Sequence, residues 1–524
     1  MGEAVPEPRT MPQVVATAAQ HYGERIAIVD GEVQLSFADL DRARRRSAAA
    51  MLAAGLQHGD RIAIWAPNIY QWILAAIGAQ SLGIVLVPVN TRWKGSEAAY
   101  ALRLSEVKLV FTVDEFLGQN YPAMLAQQEL PQLQRTVLLQ GSDPLAQDWD
   151  TFLAAGADIS DAEIDALAAQ VSPDDVLDIG FTSGTTGAPK GVVTNHGQNI
   201  RVFETWSSTV GLRDDDNYLI INPFFHAFGY KAGWLSAIIR GARILPVKSF
   251  DLDAVLAQIE RDRVTMLPGA PTIYQSILAH PERANYDLSS LRLAVTGAAP
   301  VPVELVNRMR SELQFETVVT AYGLTETCGT VTICEADDPA EVISGTSGKA
   351  MAGVEVRIVD AEGADLPVGE PGEIWVRGYN VMQGYLDNPS ATAEAITPEG
   401  WLKTGDVAVM DAAGYVNITD RIKDMFIVGG FNCYPAEIEN TLCSLPGVSQ
   451  AAVIGVPDER LGEVACAFLI LDPGADLEPD GVIDWCREQM ANYKVPRAVH
   501  IVASLPTNAS GKILKTELRA QVAS

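Results

Sequence analysis

Through about residue 350, short β-branched runs alternate with helix-length amphipathic stretches. RIAIW (61–65), LVPV (86–89), KLVFTV (108–113), YLII (218–221), VTML (264–267) and LRLAVT (291–296) each read as a strand. Strand, Gly or Pro turn, then helix is the order of parallel α/β sheets. Several turns at strand ends are rich in Gly and Pro, as in PGAPT, TGAAP and AYGLTET. Open α/β sheets bind ligands at the carboxyl ends of their strands, where such loops gather.

From residue 351 the pattern changes. VEVRIVD and GEIWVRG alternate with turns as β-hairpins do, which predicts a small β-rich subdomain. A hinge is expected within ITDRIKDMFIVGG. Beyond it come AAVIGVPD, ACAFLILD, a helix near 479–491 and VHIVASLP, a compact α+β unit of domain size. A chain of 524 residues is too long for one core. The expected organisation is a large N-terminal domain, 1–420, of parallel α/β sheets plus the β-rich subdomain. A small α+β domain, 421–524, follows it.

Composition narrows the function. Hydrophobic residues make up 48% and charged residues 20%, as in an ordinary globular protein. The formal net charge of −28 offers no positive field to a nucleic acid or an anionic membrane. Any anionic ligand must therefore be held by local donors. The most apolar window, WILAAIGAQSLGIVLVPV, contains Gln80, Ser81 and Gly83 and reads as helix, turn and strand. No integral membrane segment is expected. The six cysteines form no C-x-x-C pair, so neither a zinc site nor a redox motif is indicated, and a reducing cytosol fits. The N-terminal stretch lacks the basic region and apolar core of a signal peptide. A cytoplasmic location is expected.

The candidate chemistry begins with TSGTTGAPKG, 182–191. Glycines turn backbone N–H groups toward an anion, hydroxyls add donors and lysine adds charge, so the loop should hold phosphate. It is not a P-loop. Counted from Gly184, Lys190 is in register, but Pro189 replaces the second glycine and Gly191 the Mg²⁺-binding hydroxyl. AYGLTET (321–327) joins an aromatic suited to stacking on a base, a hydroxyl and a carboxylate, Glu326. TGD (404–406) places Asp406 as an acceptor suited to ribose hydroxyls. DRIKD (420–424) adds Arg421, and PTNASGKILK (506–515) puts Lys512 on a small-residue loop.

Five such elements in this order resemble the adenylate-forming superfamily of acyl-CoA synthetases, luciferases and peptide-synthetase adenylation domains. The resemblance covers about residues 15–518. INPFFHAFGYKAG, LPGAPTIYQS and GGFNCYPAEIE are further similar to acyl-CoA ligases that activate the bicyclic propanoate left by bacterial sterol degradation.

The resemblance implies two half-reactions. A carboxylate first attacks the α-phosphate of ATP and expels pyrophosphate; a CoA thiol then displaces AMP. An anion must attack an anion, so donors and Mg²⁺ must absorb developing charge. By resemblance, Thr182, Ser183, Gly184, Thr185, Thr186 and Lys190 cradle the β- and γ-phosphates. Glu326 holds Mg²⁺ and Thr325 meets the α-phosphate. Tyr322, followed by Gly323, stacks on adenine beside the backbone of Gly297, Ala298 and Ala299. Asp406 and Arg421 take the ribose, and Lys512 bridges the carboxylate and the α-phosphate. The C-terminal domain is mobile about Lys423. Gly429 and Gly430 line a pantetheine channel, and Lys248 meets the CoA phosphates. Ile427 stands where coumarate-type ligases and luciferases carry a lysine, so help from that lysine is not expected.

The acyl pocket is expected near His226, Phe228, Tyr230, Lys231 and Gly233. His226 reads either as a packed gate or as a proton carrier, and the aromatics read as wall. Lys231 reads either as a salt-bridge partner or as a contact for a polar group at the far end of the acid. Partners are a small carboxylic acid, ATP and CoA, with a homodimer as the assembly to test. Loading of a separate carrier protein, luciferase-like oxygenation and a catalytically dead nucleotide sensor are the rivals. ATP–pyrophosphate exchange separates the last from the rest.

Overall fold

The computed structural model describes residues 7, 9–182, 189–297, 301–421, 424–428, 431–458, 460–490, 492–508 and 513–523, with backbone alone at 420, 421, 431, 432 and 523. Buried apolar side chains form one continuous core from Met11 to Val416. Two smaller clusters lie within 426–518.

Two large sheets fill the first region. In one, strands Arg61–Trp65, Val85–Pro88, Leu109–Val113 and Arg135–Gln140 run parallel, joined by helices such as Tyr70–Gln80 and Gly95–Leu104. Val176–Thr182 extends this sheet in parallel beside Val85–Pro88. Lys190–Asn195 then returns antiparallel, and Gly384–Tyr385 adds a second antiparallel edge. The sheet is thus mixed rather than purely parallel.

In the other sheet, Ile26–Asp30, Asn217–Ile220 and Arg243–Pro246 are parallel neighbours. Leu293–Thr296 and Thr317–Tyr322 form a further parallel pair. Stretch 264–267 joins the two groups through single bridges of Met266 to Tyr218 and Leu293, so the expected strand is reduced to one bridging residue. The β-rich subdomain is an antiparallel sheet of Val354–Val359, Gly372–Gly378, Leu402–Met410 and Val416–Arg421.

Past residue 424, strands Val448–Asp458 and Gly462–Leu471 pair along almost their whole length. Their side chains alternate with period two. Ala451, Val453, Ala465 and Ala467 face helices Pro435–Cys443 and Pro479–Gln489. Ala452, Ile454, Cys466 and Phe468 face Leu518 of helix Lys515–Ala523. Both faces of this small sheet are therefore covered. All six cysteines are free; burial pushes Cys328 up to about 12 and Cys466 up to about 11. None of the helices is long and apolar enough to cross a membrane, among the described residues.

Candidate active site

Strand Val176–Thr182 carries apolar Val176, Leu177 and Ile179 around one buried aspartate, Asp178, then meets the small-residue stretch. Thr182 lies opposite Lys190 in the antiparallel pair. A P-loop leads from a strand into a helix. Here the chain turns back into a second strand before helix His196–Thr209 begins, which agrees with the failed P-loop positions.

The second motif starts at the carboxyl end of Thr317–Tyr322, and a one-turn 3-10 helix, Thr325–Thr327, follows it. The loop is tight. A Cβ on Gly323 would lie 2.2 Å from the carbonyl oxygen of Gly329. The two motifs meet at Gly180, where an added Cβ would fall 3.0 Å from Thr325 Cγ2. Glu326 is half-buried and accepts a hydrogen bond from the Tyr385 hydroxyl through Oε1, at 3.0 Å.

The third motif reaches the same place. The Tyr322 hydroxyl donates to Asp406 Oδ2 at 2.6 Å, and Asp406 is 4% exposed. Gly405, at φ +72°, turns the backbone there, and its N–H donates to Glu373 Oε1. Asp406 stands opposite Arg421 in the strand pair, so the two expected ribose residues are register neighbours. Gly297 directly follows strand Leu293–Thr296, beside Thr317–Tyr322. Ser183, Gly184, Thr185, Thr186, Ala298, Ala299, Lys423, Gly429, Gly430 and Lys512 lie outside the described residues, as does the side chain of Arg421.

Around the expected acyl pocket the residues separate. His226 is exposed, and desolvation lowers its pKa. Its Nδ1 accepts from the Phe228 N–H at 3.2 Å, which places the proton of the neutral ring on Nε2. Phe228 is half-buried. Tyr230 is buried instead, stacked on Trp234 with ring centroids 4.7 Å apart, and its hydroxyl accepts from Gln80 at 2.6 Å. Tyr230–Leu235 is a π-helical segment kinked at Gly233; such segments recur at functional sites.

Lys231 follows the ion-pair reading. Its Nζ lies 3.1 Å from Asp178 Oδ1 and 3.3 Å from Thr194 Oγ1, with both charged side chains buried. Thr194 donates to the same Asp178 oxygen at 2.6 Å. Lys248 is exposed past strand Arg243–Pro246, where its charge acts on Asp30, and no hydrogen bond or ion pair links it to another expected site residue among those described.

Sequence reasoning missed Asp178, Thr194 and Tyr385. Tyr385 faces Lys190 Nζ at 4.6 Å from its ring centroid as well as touching Glu326. Burial, then the Glu326 charge, raises its pKa, so it remains a protonated donor.

Residues 15–386 match the AMP-binding enzyme family model, and 437–512 match the model of the AMP-binding enzyme C-terminal domain. The chain belongs to the AMP-binding enzyme family. It is 49% identical over 520 residues to a 3-[(3aS,4S,7aS)-7a-methyl-1,5-dioxo-octahydro-1H-inden-4-yl]propanoyl:CoA ligase of Rhodococcus jostii, covering 98% of this chain and 99% of the relative. A relative of the same name in Mycobacterium tuberculosis is 46% identical, covering 98% of each. Among solved structures, the anthranilate CoA ligase AuaEII in complex with anthranoyl-AMP superimposes with TM-score 0.86 at 27% identity, covering 98% of each chain. This AMP-binding enzyme is an AMP-forming acid–thiol ligase that takes ATP, a small carboxylic acid and CoA.

Proposed function

We propose that this enzyme activates the bicyclic dioxo-octahydroindenyl propanoate for which its two bacterial relatives are named. The observation that carries this is 49% identity over a match that covers 98% of the chain. A linear medium- or long-chain acid is the alternative substrate, and a separate carrier protein the alternative acceptor.

In this reading the loop from Thr182 to Lys190 holds pyrophosphate and Thr325 the α-phosphate. Tyr322 packs against adenine, and Asp406 with Arg421 holds the ribose. Lys512 bridges the attacking carboxylate and the α-phosphate, lowering the cost of bringing two anions together. Domain 421–524 then turns about Lys423 so that the thiol reaches the adenylate past Gly429 and Gly430.

Glu326 fits a hard divalent cation. Tyr385 occupies Oε1, and Oε2 has no donor among the described residues. Among the described residues no cluster of three or more His, Cys, Asp or Glu could hold a metal ion. Mg²⁺ commonly uses one or two carboxylates and completes its shell with phosphate oxygens and water. When bound, it would neutralise phosphate charge. In this reading the enzyme works in the cytoplasm, and light scattering tests for a homodimer.

The test is mass spectrometry of products from ATP, Mg²⁺, CoA and a panel of linear, aryl and bicyclic acids. A dominant thioester of the bicyclic acid is expected. Thioesters of linear acids alone would overturn the substrate. Acyl-AMP without thioester would move the acceptor to a carrier protein.

A further inference from the structure

Tyr385 touches two charged groups of the nucleotide site, Glu326 and Lys190. Its hydroxyl donates to Glu326 Oε1 at 3.0 Å, and its ring centroid lies 4.6 Å from Lys190 Nζ. Its backbone is tied to the same two elements. Tyr385 is the register partner of Val192, and the Leu386 N–H donates to the Gly191 carbonyl at 2.7 Å. Three residues earlier, the Met382 N–H donates to the Glu326 carbonyl at 2.9 Å. Segment 382–386 thus joins the strand that leaves the phosphate loop to the turn that carries Glu326.

The two contacts differ in kind. The hydroxyl fixes one carboxylate oxygen and leaves the other open. The ring face attracts the lysine without neutralising it. No ion pair joins Lys190 to Glu326 among the described residues, although both contact one side chain. A direct pair would quench the charge that each must present to Mg²⁺ and phosphate.

We propose that Tyr385 is a positioning residue that holds Lys190 and Glu326 apart and aimed, so that both act on one Mg²⁺–nucleotide. The proposal rests on the reading of loop 182–191 as the pyrophosphate holder and Glu326 as the Mg²⁺ carboxylate.

The experiment is calorimetric titration of the full chain with a non-hydrolysable ATP analogue, with and without Mg²⁺, alongside acid-dependent ATP–pyrophosphate exchange. Tyr385→Phe keeps the ring and removes one oxygen. It should leave Mg²⁺-free binding unchanged and shrink the affinity gained from Mg²⁺ by about tenfold. Tyr385→Leu should in addition weaken Mg²⁺-free binding by roughly threefold, through Lys190. If the leucine variant does not fold, the phenylalanine variant decides alone. Tyr385→Phe matching wild type with and without Mg²⁺, or weakened equally in both, overturns the proposal while the site reading stands. A wild type whose nucleotide affinity ignores Mg²⁺ overturns the reading of Glu326, and the proposal with it.

Discussion

The Lys231 ammonium lies 3.1 Å from Asp178 Oδ1, with the lysine side chain 7% and the aspartate 2% exposed. Asp178 sits on the strand that leads to the proposed phosphate loop, and Lys231 in the π-helical segment beside the expected acyl pocket. The pair therefore ties the segment of the expected acyl pocket to the strand of the expected nucleotide motifs. Thr194 and Asn199 complete the network: Asn199 Nδ2 donates to Thr194 Oγ1 at 2.9 Å.

Removing one member of such a pair strands a buried charge. Lys231→Met should destabilise the enzyme by about 3–5 kcal/mol, whereas Lys231→Met/Asp178→Asn should recover much of that loss. Rates with keto-bearing and plain acids should fall together, because the ammonium is already engaged. Denaturant unfolding and paired kinetics check both points. A selective loss for the keto acid would restore Lys231 as a substrate contact.

Gly180 lies where the first two motifs touch. Its replacement by alanine would place Cβ 3.0 Å from Thr325 Cγ2, tighter than ordinary contact, and push the turn that carries Glu326. Gly180→Ala should lower adenylation by about tenfold, since small misplacements at a reacting centre are costly. Gly180→Ala/Thr325→Ser removes the opposing methyl and keeps the hydroxyl, and should restore most of the rate. Pyrophosphate exchange reads the comparison. No recovery in the double variant would mean that the contact is not what limits the alanine enzyme.

Much of this architecture was legible from local pattern. RIAIW and GEIWVRG coincide with strands Arg61–Trp65 and Gly372–Gly378, and the helix read near 479–491 is Pro479–Gln489. Local pattern failed where the partner decides. VTML is as β-branched as its neighbours, yet only Met266 bridges to the strands beside it. The antiparallel return of Lys190–Asn195 depends on pairing across a turn, which composition does not encode. Lys231 was visibly odd within an apolar run, but its partner lies 53 residues away. Tyr385 and Glu326, 59 residues apart, carry no shared motif. Contacts between elements are set by topology, and a single sequence displays topology only through family resemblance.

The 2.6 Å hydrogen bond from Tyr322 to Asp406 gives a separate test of Asp406 as the proposed ribose acceptor. Hydrogen bonds to a charged group contribute about 1.5–3 kcal/mol. Tyr322→Phe keeps the ring proposed to stack on adenine and removes one donor from Asp406. The Michaelis constant for ATP should rise by about tenfold with a smaller change in turnover, as loss of uniform binding requires. A fall in turnover at unchanged KM would place Tyr322 in the chemical step instead.

Stability should fall with acid because of His196. Its ring is wholly buried at the start of helix His196–Thr209, where Nδ1 accepts from the Met11 N–H at 3.0 Å. Burial lowers its pKa to about 3; nearby Asp175 opposes the shift and His58 adds to it. The unfolded chain takes up this proton near the ordinary histidine value of about 6.5, while the native state resists it. Between those values the unfolded state holds more protons, so native stability is fully present above about pH 6.5 and declines as pH falls toward 3. The slope from one group is at most about 1.4 kcal/mol per pH unit. His196→Gln removes the titration, and the difference in denaturant stability between variant and wild type should narrow as pH drops from 7 to 5. A difference independent of pH would mean that His196 is protonated in the native state or that another group controls acid unfolding.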